Sequence, residues 1–215
     1  MLLSIVIPVF NEKDNILPLL ERLIPIITPY DFEIIFVNDG SRDGTPEIIK
    51  TEAKKNSRIK LLSFNRNFGH QTALVAGYQV AKGKAVISMD ADMQDPPDII
   101  PEMVEKWQEG AKIVYEKRKK RDVDSLFKKW TAHAFYHFIN VLSDGRIPED
   151  VGDFRLMDQE AVRFIASLPE HAPFLRGLVA WSGYPEAYVY FDREKRHSGK
   201  THYSLSKMIN FALDG

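Results

Sequence analysis

Short apolar runs alternate with longer amphipathic segments through the first 118 residues of this chain. The runs are rich in β-branched residues, and a near-continuous apolar stretch such as Ile34–Val37 is typical of a strand covered on both faces. Five strands are predicted: Ser4–Phe10, Glu33–Asp39, Ile59–Asn65, Ala85–Asp90 and Lys112–Arg118. Between them, apolar residues at helical spacing predict four helices: Asn15–Ile27, Thr45–Asn56, Gln71–Ala81 and Asp98–Glu109. This alternation predicts an α/β fold with a mainly parallel sheet flanked by helices.

The pattern changes after residue 118. An aromatic-rich helical segment covers Phe127–Ile139, and a strand-like Tyr188–Phe191 precedes a polar loop over Arg193–Thr201. The chain ends at Phe211–Gly215 in a further helical pattern. We therefore expect a single domain over residues 1–215, with a βαβ half (1–118) and a second half (119–215) that carries C-terminal amphipathic helices.

Polar or charged residues follow every predicted strand of the first half. They are Asn11-Glu12, Asn38-Asp39, Asn65-Arg66-Asn67, Asp90-Ala91-Asp92 and Lys117-Arg118. In an open α/β sheet, ligands bind at the edge where the parallel strands end. Packing alone does not explain why polar segments follow all five strands at one edge of the sheet, so the pattern predicts a ligand site there.

Composition excludes several classes of protein. The 215 residues include 44% hydrophobic and 27% charged residues, which is typical of a globular domain. A net charge of −1 argues against a nucleic-acid-binding domain, which is usually strongly basic. Cysteine is absent, so the sequence has no disulfide, thiol nucleophile or cysteine-type zinc site. No basic segment precedes the first apolar run, which favours a strand over a signal peptide, and no run approaches the ~18–20 apolar residues of a membrane span.

The small net charge hides a basic segment. Residues 117–130 contain seven Lys or Arg and two Asp, a local net charge of +5, so the rest of the chain sums to −6. The basic run Lys117–Arg121 is either a solvated surface or a surface that attracts anionic lipid and the acceptor phosphate; nucleic acid is disfavoured. The aromatic helix that follows favours a membrane-interface helix, although the same stripe also suits an ordinary core.

A loop with paired carboxylates follows the fourth predicted strand. Asp90 and Asp92 stand two residues apart, with the amide of Gln94 nearby, and hard cations such as Mg²⁺ bind such oxygens together with substrate phosphates. The alternative is a plain turn in which Asp95 caps the helix that begins near Pro96. Both interpretations can hold at once.

The ends of the first two strands suit a nucleoside. Carboxylates in Asn11-Glu12 and Asn38-Asp39 can accept hydrogen bonds from a ribose or a base, and Gly40 and Gly44 permit tight turns. Alternatively, Asp39 belongs to a simple turn and Asp43 is a helix N-cap. Neither G-x-G-x-x-G nor the full P-loop pattern G-x-x-x-x-G-K-[ST] occurs, which counts against NAD-type and P-loop chemistry.

Five blocks together resemble the family 2 glycosyltransferases with a GT-A fold. The blocks are Ile7–Glu12, Val37–Thr45, Asn65–His70, Asp90–Pro97 and Asp150–Asp158. The third and fifth blocks look like those of polyprenyl-phosphate glycosyltransferases, which include dolichyl-phosphate mannose synthases and bacterial undecaprenyl-phosphate glucosyltransferases. The resemblance covers essentially the whole chain.

The resemblance implies roles for particular residues. The implied donor site is Pro8, Phe10, Glu12 and Asp39 around the nucleoside, with Asp90, Ala91, Asp92 and Gln94 around a Mg²⁺ or Mn²⁺ that holds the diphosphate. Arg118 and Arg196 would contact the phosphates, and Asp153 would be the catalytic carboxylate, with Asp92 and Arg118 also acting in catalysis. Two positions depart from the family pattern: Glu116 stands where Gly is usual, and His202 where Lys is usual. Either departure is expected to alter donor affinity or donor choice, unless Glu116 pairs with a neighbouring cation.

The implied reaction is metal-dependent transfer of a hexose, with inversion, from a nucleoside-diphosphate sugar to a polyprenyl phosphate. UDP-glucose and undecaprenyl phosphate are the first expectation, and a GDP-mannose-dependent mannose synthase is the second. A lipid phosphate is already nucleophilic at neutral pH, so Asp153 is either a base or a positioning group. Rival functions are a sugar-phosphate nucleotidyltransferase, whose Gly- and Arg-rich loop is missing after the first strand, and an inert sugar-nucleotide-binding membrane scaffold.

The expected partners are the sugar nucleotide, the polyprenyl phosphate and an anionic membrane surface, without nucleic acid; homo-oligomerisation is left open. Related enzymes continue into C-terminal transmembrane helices, and this chain stops where those would begin. We therefore expect either a truncated chain or a peripheral protein at the cytoplasmic face of the cell membrane.

Overall fold

The structure is a computed structural model, and it describes residues 2–118, 148, 151–170 and 173–191. Seven strands form one sheet in the order β3-β2-β1-β4-β6-β5-β7. The strands are β1 (Leu2–Val9), β2 (Asp31–Asn38), β3 (Ile59–Ser63), β4 (Ala85–Ser88), β5 (Ile113–Arg118), β6 (Val151–Asp158) and β7 (Glu186–Phe191). The helices are α1 (Lys13–Ile27), α2 (Thr45–Lys55), α3 (His70–Val80), α4 (Ile100–Gln108), α5 (Gln159–Ser167) and α6 (Leu175–Trp181), with a 3₁₀ turn (Pro97–Ile99) before α4.

The predicted α/β fold and its mainly parallel sheet are confirmed. All five strands and four helices of the first half are present, and their ends differ from the prediction by a few residues. The late strand predicted at Tyr188–Phe191 is also present, as part of β7. The prediction that Asp95 caps the fourth helix is wrong: Pro96 precedes the 3₁₀ turn in an extended conformation, and no side chain caps it. Proline has a fixed φ and no N–H, so it starts this turn without a polar cap.

Strand β6 was not among the predicted strands. It runs antiparallel between β4 and β5, with Ser88 opposite Arg155 and Tyr115 on its other side. Its sequence contains a glycine and three charged residues, Asp153, Arg155 and Asp158, so hydrophobic periodicity gives little strand signal. Because β6 is antiparallel, its first residues lie at the edge where the parallel strands end.

The core lies on both faces of the sheet, as the strand pattern requires. Alternate residues of β1 divide between two buried clusters: Leu3, Ile5 and Ile7 pack with α1 and α4, while Val6 packs with α3 and α5. Burial on both faces explains the near-continuous apolar runs. The strands are thereby fixed in position, and the loops at their ends remain available for ligands.

Several predictions fall on residues outside the described ranges. They include the aromatic helical segment of Phe127–Ile139, most of the basic segment, and the loop that contains Arg196 and His202. Within the described ranges, no helix combines the length and the apolar character that crossing a membrane requires.

A buried carboxylate links β1 and β2 at the edge opposite the predicted ligand site. Glu33 is 4% exposed, accepts hydrogen bonds from Ser4 Oγ at 2.5 Å and Lys82 N at 2.7 Å, and forms an ion pair with Lys60. Although burial raises the pKa of Glu33, these donors more than compensate and hold it below its ordinary value of 4.5.

We expect Glu33→Gln to lower the free energy of unfolding by about 1–3 kcal/mol at neutral pH, because charge-assisted bonds are lost in a buried site. A carboxylate with a lowered folded-state pKa stabilises the protein above its unfolded pKa, and the effect is lost as the pH falls through the folded value. The difference between wild type and Glu33→Gln in urea unfolding should therefore shrink from about pH 7 to about pH 4. An equal difference at both pH values would contradict this assignment.

Candidate active site

The candidate site lies where β1, β2 and β4 end and β6 begins. The loops after the three parallel strands carry Glu12, Asp39 and Asp90, and the antiparallel β6 brings Asp153 to the same edge. A hydrogen bond from Ser88 Oγ to the backbone oxygen of Asp153, at 2.6 Å, joins the end of β4 to the start of β6. Residues distant in sequence therefore lie at one edge of the sheet.

The loops after β1 and β2 hold each other by hydrogen bonds. Asn11 N donates to Ser41 Oγ at 2.9 Å, and Arg42 N donates back to Asn11 Oδ1 at 2.9 Å. Glu12 N donates to Thr45 Oγ1 at 2.9 Å. Asn11 has a φ of +57°, a conformation that Asn tolerates better than most residues. The two loops predicted to surround a nucleoside are thus one connected unit.

Asp43 acts at the start of α2, although it is not the N-cap residue. The N-cap is Gly44, with a φ of +93°, and the Asp43 carboxylate accepts hydrogen bonds from Thr45 N at 3.1 Å and Thr45 Oγ1 at 2.6 Å. The alternative prediction of Asp43 as the N-cap is wrong by one position. Gly44 occupies the cap because the backbone there is left-handed.

Asp39 fixes the loop between β3 and α3. It is 3% exposed, and its two carboxylate oxygens accept hydrogen bonds from Phe68 N at 2.6 Å and Gly69 N at 2.9 Å. Gly40, with a φ of +73°, lets this loop approach closely: a Cβ there would lie 2.5 Å from the carbonyl carbon of Arg66. In the described residues, Asp39 therefore has a structural role that places the start of α3.

The paired carboxylates lie in the loop after β4. Asp92 is 8% exposed, and its Oδ1 accepts a hydrogen bond from Gln94 N at 3.0 Å. Met93, between them, has a φ of +58°, so the backbone turns sharply here. The turn holds the Asp92 carboxylate in a fixed position. The other carboxylate of the pair, that of Asp90, lies 3.7 Å from His70 Nε2 through its Oδ1.

Asp153 lies at the centre of a charged cluster. Arg155 Nη2 donates to Asp153 Oδ1 at 2.6 Å, and Arg176 donates from Nε to Oδ1 and from Nη2 to Oδ2, both at 3.2 Å. His70 Nε2 lies 3.5 Å from Asp153 Oδ2 and 3.7 Å from Asp90 Oδ1, and so joins the two carboxylates. Cations from β6, α6 and α3 thus converge on one carboxylate.

Gln71 ties this cluster to α6. Its Nε2 donates to Asp153 Oδ2 at 3.4 Å, and its Oε1 accepts a hydrogen bond from Leu175 N, at the first residue of α6, at 3.2 Å. Because α6 also carries Arg176, the helix is held to Asp153 at two points. The orientation of Arg176 therefore depends on α3 as well as on its own helix.

The cluster separates the pKa values of its acids. Burial raises the pKa of Asp153, but His70, Arg176 and Arg155 outweigh it and hold the value well below the ordinary 3.8. Desolvation raises the pKa of Asp90; His70 opposes this, whereas Asp153 and Asp92 raise it further. Burial lowers the pKa of His70, but Asp90 and Asp153 raise it to about 9. Asp153 is therefore a stable carboxylate and His70 an imidazolium at neutral pH.

The other predicted site residues have simpler positions. Pro8 is buried within β1, opposite Val37, and Phe10 follows the strand as a half-buried residue. Ala91 is buried among the core residues beside the carboxylate loop. Arg118 is the last residue of β5. Their roles in ligand binding stay predictions.

Glu116 lies in the second half of β5, inside the fold. It is fully buried, and a Cβ built on Gly152 would lie 2.0 Å from its Oε1. The missing side chain of Gly152 therefore provides the space that Glu116 occupies. The expectation that Glu116 alters donor binding stays a prediction.

The sequence did not single out four residues that the structure places in the cluster: His70, Gln71, Arg155 and Arg176. His70 and Arg155 fall inside two of the resembling blocks, so a signal was present without a role attached. Arg176 had no such signal, because it is a lone arginine in an apolar helix and reaches Asp153 only through the tertiary fold.

The donor set around Asp90 and Asp92 suits a hard divalent cation. Among the described residues, no three His, Cys, Asp or Glu side chains converge as a complete metal site. Two carboxylates and an amide match the habit of Mg²⁺, which keeps water and takes substrate phosphates. Asp92 and Asp153 raise the pKa of Asp90, and a bound cation would relieve that repulsion. The residues present therefore fit the ion.

Comparisons with known proteins agree with this architecture. Residues 4–165 match the model of the family described as "Glycosyl transferase family 2". An uncharacterized glycosyltransferase of Synechocystis sp. (strain PCC 6803) is 47% identical, covering 99% of this chain and 68% of that protein. The bactoprenol glucosyl transferase of Shigella phage SfV is 43% identical, covering 100% of this chain and 71% of that protein.

A solved structure shares the fold at low sequence identity. It is the glucosyl-3-phosphoglycerate synthase of Mycobacterium tuberculosis in complex with Mn²⁺, UDP-glucose and phosphoglyceric acid. The TM-score is 0.67 at 18% identity, covering 98% of this chain and 75% of that one. The predicted GT-A fold is confirmed by this likeness.

Proposed function

The chain belongs to glycosyl transferase family 2 and is a glycosyltransferase, and from this premise we propose that it transfers glucose from UDP-glucose to a polyprenyl phosphate with the help of Mg²⁺ or Mn²⁺. The observation that carries the proposal is the meeting of the Asp90–Gln94 loop with the cation cluster around Asp153 at one edge of the sheet. The acceptor is inferred from the Shigella phage relative, whose name gives bactoprenol as the molecule it glucosylates.

Asp90, Asp92 and Gln94 would hold the divalent ion beside the donor diphosphate. When bound, the ion would act as a Lewis acid for the leaving diphosphate. The fold neighbour that contains Mn²⁺ and UDP-glucose supports the choice of ion and donor. The loops after β1 and β2, with Glu12 and Asp39, would surround the nucleoside.

The cation cluster would serve the acceptor side. A phosphate monoester is largely a dianion at neutral pH, so it needs no base to become a nucleophile. His70 and Arg176 provide positive charge beside the three carboxylates, which would otherwise repel the dianion. Asp153 orients both cations, and its lowered pKa makes it a poor proton acceptor near neutral pH.

The function is tested with a panel of donors, Mn²⁺ or Mg²⁺ and a short-chain polyprenyl phosphate, with lipid-linked sugar as the readout. We expect product with UDP-glucose and none when the metal is chelated. Product only with GDP-mannose would replace the donor assignment with the mannose synthase alternative. Absence of product with every donor, in a protein that still binds sugar nucleotide, would favour the scaffold alternative.

The role of Asp153 is tested separately. We expect Asp153→Asn to lower kcat by less than about a hundredfold, below the 10²–10⁴-fold typical of losing a general base, with an unchanged pH profile. Asp158→Asn is the matched control, because Asp158 lies at the far end of the same strand and contacts Trp107 and Lys112 instead. Loss of the acid limb of the pH profile in Asp153→Asn alone would identify Asp153 as a base.

A further inference from the structure

Arg155 is a fully buried arginine in the middle of the sheet. It lies on β6 between Ser88 of β4 and Tyr115 of β5, and its side chain is 0% exposed. Arginine is rarely buried without a partner, because removing a charge from water costs several kcal/mol. Its contacts must therefore explain why it is tolerated there.

A single nitrogen, Nη2, donates the side-chain hydrogen bonds of Arg155 to the described residues. Nη2 donates to Asp153 Oδ1 at 2.6 Å and to the backbone oxygen of Gly152 at 3.4 Å. Nε and Nη1 have no hydrogen-bond partner in the described part of the chain. Among those residues, Asp153 is the carboxylate within ion-pair distance of Arg155. The charge of Arg155 thus depends on Asp153 for compensation.

The dependence is not symmetrical. Asp153 has a second ion pair with Arg176 and lies near His70, so it keeps cationic neighbours if Arg155 is removed. Two buried tyrosines, Tyr78 and Tyr115, also interact with the Arg155 charge. Burial raises the pKa of both tyrosines, and the positive charge of Arg155 acts in the opposite direction. Arg155 therefore meets Asp153 from inside the core, while Arg176, with 35% of its side chain exposed, meets it from the solvent side.

We propose that Arg155 is a positioning residue: it holds the Asp153 carboxylate from within the core, so that Asp153 in turn orients Arg176 and His70 in the acceptor site. It acts through Asp153 and does not touch substrate. The kinetic half of this inference rests on the proposed function, whereas its structural half does not.

A double-mutant cycle with Asp153→Asn and Arg155→Met tests the pair in urea unfolding. Asp153→Asn alone leaves a buried guanidinium uncompensated, and we expect the unfolding equilibrium to shift by roughly a hundredfold or more toward the unfolded state. Adding Arg155→Met should restore at least about tenfold of that loss, because it removes the uncompensated charge. A double variant less stable than Asp153→Asn would overturn the pairing. If Asp153→Asn does not fold alone, a folded double variant supports the proposal and an unfolded one overturns it.

Kinetics of the same four proteins test the positioning role. Arg155→Met should lower kcat with little change in the KM of the donor, and the double variant should be no slower than Asp153→Asn. Arg155→Lys, which keeps a cation, should recover part of the kcat lost in Arg155→Met. The proposal would be overturned if the kcat losses of Asp153→Asn and Arg155→Met multiplied in the double variant. It would also be overturned if Arg155→Met had the kcat of the wild type.

Met157→Ala is the matched control. Met157 is fully buried two residues further along the same face of β6 and belongs to the core cluster beside α5. It should lose stability while keeping the wild-type kcat, and its effect should add to that of Asp153→Asn. If the wild type transfers no sugar from any donor, the proposed function fails, and the unfolding cycle still decides whether Arg155 and Asp153 act as a pair.

Discussion

If Asp92 holds the proposed divalent ion, Asp92→Asn is expected to lower kcat by about a hundred- to a thousandfold, because an ion that stabilises a leaving diphosphate contributes several kcal/mol to the transition state. The change removes the negative charge and keeps Oδ1, which accepts the hydrogen bond from Gln94 N. Asp92 is therefore a cleaner target than Asp90, which also lies beside His70. The fold should survive the substitution.

The measurement combines sugar transfer with the concentration of Mn²⁺ that gives half-maximal activity, which should rise in Asp92→Asn. Asp98→Asn is the control from the same segment, since Asp98 is 60% exposed in its side chain and pairs with Arg22 on the surface. The control should match the wild type in both readouts. Activity of Asp92→Asn within about threefold of the wild type would refute the proposed metal site.

Gly40→Ala is expected to destabilise the loops around the proposed nucleoside site more than Gly44→Ala does. An added Cβ would lie 2.5 Å from the carbonyl carbon of Arg66 and 2.7 Å from Asn67 N, so the backbone of that loop must move. The same loop is bound to Asp39 through Phe68 N and Gly69 N, so its movement strains two buried hydrogen bonds.

Gly44→Ala is the matched control, because Gly44 also has a positive φ, of +93°, but has nothing within 4 Å of the added Cβ. It should cost only the left-handed strain, about 1–2 kcal/mol. Gly40→Ala should cost about 1–3 kcal/mol more in urea unfolding, the usual range for overpacking. Equal losses in the two variants would show that the loop yields easily and that the close approach has little energetic weight.

The sequence predicted that the residues of the candidate site gather at one edge of the sheet, because each apolar run is followed by polar residues and parallel strands end together. Asp39 and Asp90, predicted as the last residues of their strands, lie in the loops just beyond the ends of β2 and β4. The sequence did not reveal that the Asp39 carboxylate accepts hydrogen bonds from the backbone N–H groups of Phe68 and Gly69, because these contacts depend on how two loops pack.

The cluster around Asp153 could not be predicted in the same way. Arg155 is fully buried, and a sequence pattern assigns arginine to the surface unless its partner is known. The partner is two residues away, but it points to the same face only because the segment is a strand, and the segment lacked a strand signal. Arg176 joins from a separate helix, and no local pattern connects it to Asp153.

The position of β6 also constrains how the protein folds. Both strand neighbours of β5, β6 and β7, come after residue 150 in the chain, and β6 also covers the edge of β4. A fragment that ends at residue 118 would leave β5 without a neighbouring strand and β4 with an open edge, a template for aggregation. The sheet can close only after distant segments meet, which is slow in chains rich in long-range contacts. Synthesis of the second half is thus a condition for the first half to become a complete sheet.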